Sequence, residues 1–169
     1  MDALAPAATD REILTWDRFG EANRELAFTV HESGYRPDLV VAIARGGMLF
    51  AGGLAYALGI KACDALNIEF YTGIGETLAK PEILKPLLDA DALDGARVLL
   101  VDDVADSGKT LRLAVDLLSE RAAEVRSAVL YTKPTTIIRP DYTWATTDKW
   151  ITFPWSALPP IGSERSADA

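Results

Sequence analysis

Residues 98–111 read VLLVDDVADSGKTL, and they combine two kinds of chemistry that ordinarily repel each other. Ser107, Gly108, Lys109 and Thr110 supply small residues, free backbone N–H groups, an ammonium and a hydroxyl, the makings of a phosphate cradle. Asp102 and Asp103 lie just upstream, and Asp106 lies in the turn itself. A carboxylate beside a phosphate is repulsive unless it faces something else. The spacing resolves the conflict. The amides of residues 106–110 converge at the start of a predicted helix, where the dipole favours an anion. Asp102 and Asp103 stand about one sugar-length away at the end of an apolar run. There they can accept hydrogen bonds from two vicinal hydroxyls, or meet a Mg²⁺ ion that those hydroxyls also ligate. The pattern suits a sugar phosphate with a free diol. It does not suit the nucleotide-hydrolysing P-loop, G-x-x-x-x-G-K-[ST], because Asp103 stands at the first-glycine position.

A second glycine turn, Arg45-Gly46-Gly47, follows another apolar run, DLVVAIA at 38–44. Alone it is a weak signal, because glycine pairs open many helices. The elements around the two turns give it weight. Trp16, Phe19, Leu26 and Val30 recur at helical spacing between Thr15 and Ser33, with Gly34 as the cap. Residues 38–44, 96–103 and 124–133 read as strands, with a further strand within 61–71; a helix follows the glycine turn at 45–47 and is capped by Gly59, and 108–121 is helical, with Leu111, Val115 and Leu118 on one face. Strands alternating with helices predict an α/β fold, a mostly parallel twisted sheet with helices on both faces. Ligands of such sheets bind beyond the carboxyl ends of the strands. Both glycine turns fall on that edge, so a ligand with two separate phosphate groups is expected.

The bulk properties narrow the chemistry further. A chain of 169 residues, 49% of them hydrophobic, suits one domain. Cys63 is the only cysteine and His31 the only histidine, which excludes an internal disulfide and a Cys/His zinc site and argues against a serine–histidine triad. Acid–base work therefore falls to carboxylates and lysines, and His31 reads as a surface or helix-end residue. The net charge of −8 with scattered basic residues argues against a nucleic-acid partner. The longest apolar stretch, Met48 to Leu58, is interrupted by Gly52 and Gly53, so no membrane span is expected. The start lacks the pattern of a signal peptide, and a cytoplasmic location is the expectation.

Beyond these readings, VLLVDDVADSGKTL resembles the 5-phosphoribosyl-1-pyrophosphate (PRPP) motif of type I phosphoribosyltransferases: an apolar strand, two acids, then D-[ST]-G-x-T. TWDRF, VAIARGGMLFAGGLAYALGI, YTKP, DKWITFPW and PPI are similar in order to the bacterial xanthine–guanine group over nearly the whole chain. The resemblance implies that Arg45, Gly46 and Gly47 form the pyrophosphate loop and that Asp102 and Asp103 serve the ribose and Mg²⁺. By the same match, Asp106 through Thr110 cradle the 5′-phosphate, and Asp106 also faces the imidazole ring of the incoming purine. Lys133 matches the lysine that meets the 6-oxo group, Trp150 the aromatic that stacks on the base, and Ile151 the neighbour whose backbone meets its edge. Read from residue types alone, Lys133 before Pro134 is a solvated strand-end lysine, and Trp150 is as much a core aromatic, like Trp16, as a binding residue. Trp144 and Trp155 read as packing residues.

The implied activity is Mg²⁺-dependent transfer of a 5-phosphoribosyl group from PRPP to guanine, xanthine or hypoxanthine in purine salvage, by a homo-oligomer. Transfer to another nucleobase, and a non-catalytic PRPP-binding regulator, stand as alternatives. The chain departs from the group at Phe70-Tyr71, where Ser-Tyr is common, and in TTIIRPDYTWATT at 135–147, which replaces a more acidic stretch. The expected organisation is a flexible segment at 1–12, a single phosphoribosyltransferase domain at 13–161 with a small irregular hood largely from 134–161, and a flexible tail at 162–169. The segment 72–86 lacks periodicity and reads as a loop of the kind that closes over a site.

Overall fold

The computed structural model describes residues 10–71, 80–84 and 89–162. In chain order the elements are β1 (Arg11–Ile13), α1 (Trp16–Glu32), β2 (Leu39–Ala44), α2 (Gly46–Leu58), β3 (Cys63–Tyr71), β4 (Lys80–Leu84), α3 (Ala90–Leu93), β5 (Arg97–Ala105), α4 (Lys109–Ser119), β6 (Glu124–Thr132), β7 (Tyr142–Thr146) and β8 (Trp150–Thr152). A short 3-10 turn at Pro154–Ser156 follows.

Six strands form one sheet in the order β4-β3-β2-β5-β6-β7. All its pairings are parallel except β3 with β4. Helix α1 begins where the Thr15 hydroxyl accepts the Arg18 amide at 3.2 Å, a side-chain N-cap. It ends before Gly34, whose φ of 79° lies in the left-handed region that glycine adopts without penalty. The helix lays Ala22, Leu26, Ala27 and Val30 on the sheet.

The central strands are apolar on both faces because both faces are covered. Val40, Ala42, Leu99, Val101, Ala128 and Leu130 join a core with α1 and α2. Their neighbours Val41, Ile43, Val98, Leu100 and Val129 join a second core with Leu111, Ala114 and Leu118 of α4. The predicted α4 face is therefore present, with Ala114 between Leu111 and Leu118 and Val115 half-buried beside them. His31 is exposed in the last turn of α1, as expected. Among the described residues, no helix is long and apolar enough to cross a membrane.

Two regions differ from the sequence reading. The stretch 72–86 was expected to be a loop, but Lys80–Leu84 is a strand, antiparallel to β3. A five-residue edge strand containing Pro81 carries too little alternation to be legible. Residues 72–79, the heart of the expected lid, lie outside the described residues, as do 85–88. The hood expected to be irregular over 134–161 holds two strands. Tyr142–Thr146 extends the main sheet as its edge, and Trp150–Thr152 pairs in parallel with β1 to make a separate two-stranded sheet. Both are short, and neither is an apolar run, which hid them.

Arg11 and Glu12, within the segment expected to be loose, are paired in β1. Residues 1–9 and 163–169 lie outside the described residues. Trp16 is half-exposed rather than core and meets Phe19 edge-on with centroids 6.1 Å apart. Trp155 stacks on Phe153 at 4.9 Å, and the Trp144 indole N–H donates to Glu25 at 2.7 Å, so both pack as expected.

Leu100, fully buried on the central strand β5, tests this account of the core. Leu100→Ala is expected to lower unfolding stability by about 2–5 kcal/mol, read as a shift in the denaturant midpoint at unchanged slope.

Candidate active site

The acidic pair lies within the last third of strand β5, and the strand continues beyond it to Ala105. Asp102 Oδ1 accepts the Asp103 amide at 2.9 Å. Neither carboxylate has a cationic partner among the described residues. Burial lifts the Asp102 carboxyl well above the usual carboxylate range, and the neighbouring Asp103 charge lifts it further. Burial also raises Asp103. Two desolvated acids without a counter-charge are costly in isolation. They suit a site completed by hydroxyl donors or a divalent cation.

The second glycine turn is pressed onto this pair. A Cβ placed on Gly46 would collide with the Asp103 carboxylate. One on Gly47 would stand 2.5 Å from the Val101 carbonyl oxygen and 3.1 Å from Asp102 Cα. At Gly47 the clash is with the β5 backbone, so a side chain there would push the loop off the strand, whereas at Gly46 it would displace the Asp103 carboxylate. The Ala44–Arg45 peptide that leads into the turn is cis. Arg45 itself is exposed and makes no ion pair among the described residues.

The phosphate turn sits at the start of α4, with Gly108 at a φ of 78° as the residue that precedes the helix. Its position is close-packed: a Cβ there would strike the Thr136 hydroxyl and lie 2.9 Å from Ile138 Cγ2. Backbone bonds tie the same turn to the segment after β6. Lys133 N–H donates to the Ala105 carbonyl at 2.9 Å, and Ile137 N–H to the Ser107 carbonyl at 2.9 Å. Ser107 and Lys109 are exposed and Thr110 half-buried at this rim.

Two adjoining depressions cover these loops. One, of about 430 Å³, is lined by Asp106, Lys133, Trp150 and Ile151, together with Arg11 and Val104. The other, of about 1010 Å³, is lined by Arg45, Gly46, Asp103 and Trp16 among others. Phe153, Ser156 and Ala157 line both. The structure thus brings Lys133, Trp150, Ile151 and Asp106 to one cleft and Arg45, Gly46 and Asp103 to the next.

Trp150 is 63% exposed, which decides against a core role for it. Lys133 Nζ donates to the Lys149 carbonyl, which holds the ammonium at the cleft instead of in open solvent. Ile151 packs against the core while lining the cleft, which leaves its backbone as the available polar edge.

Sequence reasoning did not single out Arg11 or the shared wall at Phe153, Ser156 and Ala157. Arg11 was placed in a segment read as loose, and only its pairing with β8 carries it to the site. Phe153 lay within DKWITFPW, a stretch noted for its order and not for its own chemistry.

An open, mostly parallel α/β sheet here carries two anion-suited turns, an acidic pair packed against the first of them and an aromatic-walled cleft alongside, an arrangement suited to a ligand charged at both ends. The chain matches the phosphoribosyl transferase domain over residues 10–159. It belongs to that family. It is 35% identical over 167 residues to the xanthine-guanine phosphoribosyltransferase of Ruegeria sp. (strain TM1040), covering 92% of this chain and 91% of the relative. It is 32% identical over 156 residues to the enzyme of the same name from Gluconobacter oxydans (strain 621H), covering 91% and 89%. Among solved structures, the purine phosphoribosyltransferase of Pyrococcus horikoshii Ot3 superposes with a TM-score of 0.77 at 38% identity, over 90% of this chain and 98% of that one.

Gly46→Ala is expected to weaken PRPP binding at least about tenfold, measured by calorimetric titration, because the added methyl must displace the Asp103 carboxylate. Gly53→Ala on the same helix meets only the Asn23 side chain, remote from these loops. It is expected to alter the melting temperature and leave PRPP binding in place.

Proposed function

We propose that the chain transfers the 5-phosphoribosyl group of PRPP to a 6-oxopurine, releasing pyrophosphate and a nucleoside 5′-monophosphate. One observation carries the reading: the cleft holding Asp106, Lys133 and Trp150 shares a wall with the groove holding Asp103, Gly46 and Arg45. A flat base seated in the first lies next to a ribose over the acidic pair, with its leaving group toward Arg45.

The roles follow from the chemistry of each group. The amides and hydroxyls at 106–110 hold the 5′-phosphate at the N-terminus of α4. Asp102 and Asp103 accept hydrogen bonds from the ribose diol and hold Mg²⁺. The pair fits a divalent ion because both acids are desolvated and uncompensated. Among the described residues no cluster of three or more His, Cys, Asp or Glu side chains is gathered, so the ion would take its other ligands from substrate and water. When bound, Mg²⁺ supplies charge neutralisation for the departing pyrophosphate. Arg45 and the backbone of Gly46 and Gly47 stabilise the same negative charge.

In the transfer, the bond from the anomeric carbon to the pyrophosphate oxygen breaks and a bond to a purine ring nitrogen forms. The proton on that purine passes to Asp106, which lies in the base cleft. Lys133 donates to the 6-oxo group, Trp150 stacks on the base, and the Ile151 backbone meets its edge. The reading carries with it a place in cytoplasmic purine salvage and a homo-oligomeric assembly.

Three measurements test it. A panel of nucleobases with Mg²⁺ and PRPP is expected to give nucleotide with guanine, xanthine or hypoxanthine; product only with adenine or a pyrimidine, or none at all, would refute the assignment. Asp106→Asn is expected to lower kcat about 10²–10⁴-fold, and near-normal turnover would remove it as the base. Trp150→Ala should raise KM for the purine by an amount equivalent to about 1–3 kcal/mol, with KM for PRPP little changed.

A further inference from the structure

One charged group in the base cleft has no part in the roles above. Arg11 of β1 pairs in register with Trp150 of β8, and residues in register on neighbouring parallel strands project to the same face. Both side chains line the cleft. The next residue turns the other way: burial pushes the hydroxyl of core residue Tyr131 up to about 12, and the Glu12 charge adds to the rise. Alternation along β1 therefore sends Glu12 toward the core side and Arg11 to the cleft.

Arg18, Arg97, Arg121 and Arg126 are each held by a carboxylate. Half-buried Arg11 makes no side-chain hydrogen bond or ion pair among the described residues. A guanidinium is always charged and carries donors only, so a partly desolvated one is satisfied only by acceptors. The charged residues lining the cleft are Arg11, Asp106 and Lys133. With Lys133 on the 6-oxo group and Asp106 at the imidazole side, Arg11 is the donor left over.

The three 6-oxopurines differ at C2. Hypoxanthine has a hydrogen there, guanine an amino donor, and xanthine a carbonyl acceptor; xanthine is also the most acidic of the three. A donor-only cation repels the amino group, finds nothing on hypoxanthine and is satisfied by the C2 oxygen. We propose that Arg11 is a specificity-determining residue that favours xanthine over guanine and hypoxanthine through that oxygen. The proposal rests on the phosphoribosyl-transfer reading and extends it.

Steady-state kinetics of the full chain with Mg²⁺, PRPP and each of the three bases tests it, comparing the unmodified protein, Arg11→Gln and Arg11→Lys. A charge-assisted hydrogen bond is worth about ten- to hundredfold. The ratio of kcat/KM for xanthine to that for hypoxanthine is expected to fall at least about tenfold in Arg11→Gln, through KM for xanthine. Arg11→Lys should restore part of it. An unchanged ratio overturns the proposal, and so do rates that fall in step for all bases, which would mark Arg11 as a strand residue only. If circular dichroism finds Arg11→Gln unfolded, the unmodified protein still decides: a kcat/KM for xanthine below that for hypoxanthine overturns the assignment. Failure of the unmodified protein to use any of the three bases overturns the phosphoribosyl-transfer reading itself, an outcome separate from an unchanged ratio in active protein.

Discussion

The contact between Gly46 and the Asp103 carboxylate is the constraint around which the rest of the site is arranged. A backbone without a side chain lies directly against a desolvated acid, and the next residue, Gly47, lies against the Val101 carbonyl of the same strand. These approaches place the turn after β2 beside the end of β5. They also place a cluster of backbone amides at the start of α2 near two carboxylates that have no cation of their own among the described residues. The two acids thus stand without a counter-charge among the described residues, an arrangement suited to hydroxyl donors or a divalent cation.

The scaffold makes that contact possible. Strands β2 and β5 are neighbours in register from Leu39↔Val98 to Ala42↔Val101, so their ends reach the rim together. Each is covered on both faces, one core under α1 and α2 and the other under α4. A one-residue slip in this pairing would turn Val40 and Leu99 to the wrong core and would part Gly46 from Asp103. Packing that stabilises the fold therefore also sets the spacing of the turn after β2 and the acidic pair of β5.

The long elements were legible because each carries a strong local signal. Residues 39–44 and 98–101 are continuous apolar runs, α1 has helical spacing that stops at a glycine, and the D-S-G-K-T turn combines unusual residue types. The acidic pair was legible for the same reason: adjacent aspartates closing a buried strand have few bland explanations. What was not legible is built from short pieces joined by distant pairing. β1 and β8 have three residues each and acquire meaning only from each other. Lys133 and Trp150 drew their roles from resemblance, because a strand-end lysine and an aromatic are common; the open position of Trp150 is a tertiary fact. The tie between Gly108 and residues 136–138 is likewise invisible without the fold, although it seats the phosphate turn.

Phe153, Ser156 and Ala157 face both depressions, and this shared partition constrains how such an enzyme can diversify. A substitution there that reshapes the depression proposed for the nucleobase also redraws the one proposed for the diphosphate, so selection cannot adjust one without taxing the other. Arg11 of β1 borders the smaller depression alone. On the proposed reading, that position offers a lineage the freedom to change its diet of bases while its donor chemistry stays intact.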